Sequence, residues 1–142
     1  MATYFQGAVK SGDGFSETAT GVGTAVFSQS QVIDFDTDLT QEAIFTLPNS
    51  AQVENFFIDV LTAYDSATSA TLTIGSASAG SQYVGSVNAK TAGRAAPTLS
   101  AAQLLAMSNI TTNTSVYATV TSVGQPTAGK VRVTIQYTGG AK

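Results

Sequence analysis

From Lys130 to Tyr137 apolar and polar side chains alternate without a break, Val131, Val133, Ile135 and Tyr137 against Arg132, Thr134 and Gln136. Successive side chains of a strand point to opposite faces, so a period of two reads as a half-buried β-strand and not as an amphipathic helix. The same period recurs in residues 68–75, where Ala70, Leu72 and Ile74 alternate with Thr71 and Thr73. It recurs again in residues 115–123, with Val116, Ala118 and Val120 in one register and Tyr117, Thr119, Thr121 and Val123 in the other. Threonine fills most of the polar positions and suits a pleated, half-exposed surface.

The remaining strands expected are shorter or less regular. They cover residues 22–27, 31–35, 43–47, 52–64 and 83–87. The third of these is stopped by the turn residues Pro48-Asn49-Ser50. The fourth is the longest, with Val53, Phe57 and Leu61 on one face and Phe56, Ile58 and Val60 on the other, a pattern expected of a strand buried on both sides. Residues 90–97 read as a loop, and residues 99–107 as the one helix, capped by Ser100 and with an apolar patch of Leu104, Leu105 and Met107. Seven or eight short strands, residues 83–87 being the optional one, separated by turn signals and with no alternating helices, predict an all-β antiparallel sandwich. Long links between sheets favour a jelly-roll-like path, and an immunoglobulin-like sandwich is the competing architecture. No repeat of solenoid or propeller length is present.

A chain of 142 residues suits one domain. Residues 21–142 are assigned to the sandwich and residues 1–20 to an extended N-terminal arm, rich in small residues yet carrying Tyr4, Phe5 and Phe15. Disordered tails are poor in aromatics, so the arm is expected to dock, either on its own barrel or on a neighbour, with these three and Lys10 as the preferred partner-binding residues. The N-terminus has no basic segment followed by an apolar one, so no secretory signal is expected, and no apolar run is long enough for a membrane-spanning helix.

Composition narrows the chemistry. The chain has no His, no Cys and no Trp, which removes the Ser-His-Asp and Cys-His triads, disulfides and cysteine zinc sites. No catalytic, metal or cofactor site is expected, and the chain reads as a non-enzyme. The Gly75–Gly80 loop lacks the lysine of a phosphate-binding loop. Asp34, Asp36 and Asp38 are spaced like the start of a calcium loop, but Leu39 and Phe45 stand where that loop needs glycine and glutamate. They read as an acidic strand end, with a cation or a basic partner as the alternative.

The net charge is −3, which does not favour nucleic acid. Its distribution is more telling. All nine acidic residues lie within residues 1–65 against one base, Lys10, giving −8, whereas residues 66–142 hold five bases and no acid, giving +5. Two readings are open. Strands from the two halves interleave and the charges mix, or an acidic face of one subunit meets a basic face of the next. Under the second, Asp34, Asp36, Asp38, Arg94, Lys130 and Arg132 are the subunit-interface candidates.

Three segments, VIDFDTDLTQEAIFTLP (32–48), ATLTIGSASAGSQYVGSVNAKTAGR (70–94) and AGKVRVTIQYTGG (128–140), resemble small structural proteins of tailed bacteriophages, in particular capsid decoration (cement) proteins. The resemblance is one of style over residues 30–140. It implies an oligomer, commonly a trimer, with a sandwich or jelly-roll core. It also implies a location on the outer surface of the virion after synthesis in the host cytoplasm, and an arm lying over neighbouring capsid subunits. The implied partners are the major capsid protein and further copies of the chain, with no nucleic acid and no membrane. Another particle component, such as a head-fibre base, neck or tail protein, and a carbohydrate-binding sandwich module are the alternatives.

Overall fold

The computed structural model describes residues 25–36 and 43–139. Eight strands and one helix follow in the order β1 (Val26–Asp34), β2 (Phe45–Leu47), β3 (Gln52–Thr62), β4 (Ser69–Gly75), β5 (Val84–Asn88), β6 (Gly93–Ala95), α1 (Ala101–Ser108), β7 (Thr114–Val123) and β8 (Lys130–Thr138). They form two four-stranded sheets, ordered β1-β8-β3-β6 and β2-β7-β4-β5. Every pairing is antiparallel. The all-β sandwich expected from the alternation is the fold.

The chain path follows a simple rule. First pairs with last, second with seventh, third with sixth and fourth with fifth. The chain is thus one long hairpin of strand pairs wrapped across two sheets, and all but one of its sequential links change sheet.

The period-two segments deliver the core. Along β8 buried and half-buried residues alternate from end to end, with Val131, Val133, Ile135 and Tyr137 essentially inaccessible. Opposite them β4 and β7 contribute Leu72, Ile74, Val116 and Ala118. Each such aliphatic side chain contributes about 1.5–3 kcal/mol on burial. Tyr137 packs at a tilt beside Phe27, and its hydroxyl accepts a hydrogen bond from Gln29 at 2.7 Å.

Several expectations change at the level of single elements. The two strands expected over residues 22–27 and 31–35 are one strand where described, β1, in register with β8 along its whole length. The loop at 90–97 contains a short strand, β6, pairing with the middle of β3. β3 itself is not buried on both faces. A register shift between Val53 and Asn55 moves Val53 onto the core side with Phe56, Ile58 and Val60, while Leu61 is exposed. The helix is present, with Ser100 and Gln103 closing a reciprocal capping box. Only Met107 of its apolar patch is buried; Leu104 and Leu105 face outward, 51% and 75% exposed.

Candidate interaction surface

The outer face of the β1-β8-β3-β6 sheet carries the densest cluster of charged side chains among the described residues. Asp59 stands at the middle of β3, where the register sets it opposite Arg132 on β8 and Arg94 on β6. Directly opposed residues of antiparallel strands share a face with side chains in reach, so the carboxylate lies between two guanidiniums. Arg94 donates through Nε to Oδ1 at 2.7 Å and through Nη2 to Oδ2 at 3.2 Å. Arg132 donates to Oδ2 through Nη2 at 2.8 Å and Nε at 3.3 Å. Hydrogen bonds from Arg94, then from Arg132, hold the Asp59 carboxyl down at about 2 against the opposing effect of burial.

The cluster has one negative and two positive charges. Asp59 is almost covered, whereas the arginine side chains remain 62% and 44% exposed, so guanidinium donors not used on Asp59 face solvent. Arg94 also lies over the Phe57 ring at 5.2 Å. Ser30, Thr134 and Gln136 complete a shallow polar depression around these groups. Arg94 borders a second groove as well, between β5 and the segment running to Thr98. Chemically, among the described residues, this is a face with free hydrogen-bond donors and one uncompensated positive charge, a chemistry that suits carboxylates or carbonyls.

The sequence-predicted residues sort as follows. Asp34 pairs with Lys130 at 3.3 Å across β1 and β8. Arg94 and Arg132 both pair with Asp59. In these pairs the acidic and basic halves of the chain meet within one molecule, because β8 inserts between β1 and β3. Asp36 is exposed in the turn after β1. Tyr4, Phe5, Lys10, Phe15 and Asp38 lie outside the described residues, as does the 1–20 arm. Among the described residues no three acidic side chains gather as a metal site.

Asp59 is the residue that sequence reasoning did not single out. Its signal was a lone carboxylate interrupting the longest apolar run, a position that demands a partner. A second anchoring carboxylate is Asp65, which accepts from the Thr127 hydroxyl at 2.6 Å and from the amides of Thr127 and Ala128 at 2.7 and 3.0 Å. It holds the β7–β8 loop, and those bonds set its carboxyl at about 2. No described helix is long and apolar enough to cross a membrane.

No protein-family model matches the chain, and no curated protein matches it. Among solved structures, it is similar to a chain of the structure described as "Cyanophage Pam1 capsid asymmetric unit". The two share 22% identity with a TM-score of 0.60, over 94% of this chain and 99% of the other. At that identity the likeness is one of fold, and it extends over nearly the full length of both chains.

Proposed function

We propose that this chain is a structural component of a bacteriophage particle, a decoration protein on the outer surface of the capsid that binds across junctions of the major capsid protein as a homotrimer. The observation that carries the reading is the match with a chain of a phage capsid structure, over 94% of this chain and 99% of the other. The bacteriophage resemblance of residues 30–140 supports the same class independently of three-dimensional shape.

The strand path fits this role. Eight strands paired first with last through fourth with fifth and divided over two sheets support a jelly-roll reading of the sandwich, a fold used in viral capsids. A decoration protein works by many weak contacts made at once, so a rigid sandwich with polar faces suffices and no catalytic group is required. In this reading the Arg94–Asp59–Arg132 face is a contact surface and residues 1–20, with Tyr4, Phe5, Lys10 and Phe15, are the arm laid over a neighbouring capsid subunit. The chain acts without enzymatic activity, metal or cofactor, is made in the host cytoplasm and joins the virion from there.

The test is binding to purified phage capsids lacking this protein, read by co-sedimentation. The expected result is saturable binding at a stoichiometry set by the lattice. It weakens by tenfold or more when residues 2–18 are deleted. Absence of binding, or undiminished binding of the deleted form, would contradict the capsid role or the arm respectively.

A further inference from the structure

Sheet edges expose backbone amides and carbonyls that another strand can pair with, and folded proteins usually protect them. This sandwich has four edges, and three are protected by shortness or irregularity. β2 and β6 are three residues long, and β5 is five residues with a register shift against β4. β1 differs. It is nine residues long, regular against β8 throughout, and has no proline, no lysine or arginine and no bulge.

Its hydrogen-bonding phase can be read directly. The Phe35 amide donates to the Gly129 carbonyl at 2.9 Å, directly opposite in the β1–β8 register. In an antiparallel ladder such two-way pairs alternate along the strand. The odd-numbered residues of β1 therefore spend their backbone groups on β8, and those of Val26, Ser28, Ser30, Val32 and Asp34 point away from it. No described strand meets them. Exposed apolar side chains gather at the same edge, with Val26 56%, Val32 43% and Phe35 39% exposed.

We infer that the open edge of β1 is a two-fold pairing surface for β1 of a second copy of this chain. The segment VFSQSQVID is close to self-complementary about Ser30. Antiparallel pairing centred there sets Phe27 opposite Ile33 and Gln29 opposite Gln31 on the core side. On the outer side it sets Ser30 opposite Ser30, Ser28 opposite Val32 and Val26 opposite Asp34. No like charges meet, and every outward backbone group finds a partner. A slide of one residue would turn core-side residues to the outer face, and a slide of two would leave an end unpaired. The pairing joins two four-stranded sheets into one of eight strands. It is independent of the proposed capsid role and distinct from a three-fold contact; where both exist, it links neighbouring trimers.

Introduced thiols report this contact cleanly, because the chain has no cysteine. Opposed Cα atoms in such a pair lie about 5.5 Å apart, within disulfide range. In the full-length chain Ser30→Cys should therefore convert mostly to a disulfide dimer on mild oxidation, while Ser86→Cys, exposed on β5, should not. Ser28→Cys and Val32→Cys should each stay uncrosslinked alone and crosslink when mixed. By sedimentation the native chain should form a species at least twice the mass of Ser30→Pro, whose lost amide is not used by β8. An unchanged circular dichroism spectrum would show that this variant is folded. Crosslinking of Ser30→Cys no better than that of Ser86→Cys would overturn the inference. So would self-crosslinking of Ser28→Cys, or equal masses for the native chain and a folded Ser30→Pro.

Discussion

Asp59 is held between two arginines from different strands, and this arrangement has a pH signature. Its carboxyl titrates near 2 in the folded chain, below the ordinary 3.8, and that of Asp65 does the same. A depressed carboxylate stabilises the fold fully above the unfolded value and loses that contribution as pH falls through the folded one. Thermal stability should therefore decline between about pH 4 and pH 2, and Asp59→Asn should flatten part of that decline; an unchanged profile would contradict the assignment. Asp59→Ala leaves Arg94 facing Arg132 without their shared anion and is expected to cost about 2 kcal/mol in urea unfolding. Tyr64 provides a test of opposite sign. Its ring is buried, its hydroxyl has no hydrogen-bond partner among the described residues, and burial, with the nearby Asp34 and Asp36 carboxylates, pushes that hydroxyl up to about 12. Tyr64→Phe should be neutral or stabilising by up to about 1 kcal/mol. Gly129→Ala should destabilise by about 1–3 kcal/mol, because its Cβ would fall 2.5 Å from the Tyr64 ring.

At the scale of elements, α1 separates packing from contact. Met107 anchors the helix, and Met107→Ala should cost about 2–5 kcal/mol, whereas Leu105→Ser at an outward position should change stability by less than about 0.5 kcal/mol. Denaturant midpoints of the two variants test this, and a large loss at Leu105 would mean that the helix docks by a different face. The elements also show what was legible beforehand. β4, β7 and β8 could be read because one face is core and the other solvent, so burial writes its period into the residues. β3 misled because a bulge reverses the parity of Val53, and no single residue type marks a bulge. β6 was hidden because its three residues pair only at the centre of β3, leaving too little length for a period. The Asp59 cluster was hidden for a related reason. Its members lie 35 and 73 positions from Asp59 and meet only through the strand order.

For the molecule as a whole, the contrast between an acidic first part and a basic second part invites a reading as two opposed surfaces. The path of the chain resolves much of it internally, since β8 lies between β1 and β3 and neutralises Asp34 and Asp59 in place. What remains for partners is more local. Among the described residues it comprises a polar face with one uncompensated positive charge, a nine-residue edge at β1 that no strand covers, and two exposed leucines on α1. Several separate patches on a rigid sandwich suit simultaneous contact with different subunits better than a single deep site would. The most direct measurement is a cryo-electron reconstruction of phage particles carrying this protein. The account predicts sandwich-shaped density on the outer capsid surface, grouped in threes over junctions of the major capsid protein. Density confined to the tail or neck, or an undecorated capsid surface, would contradict it.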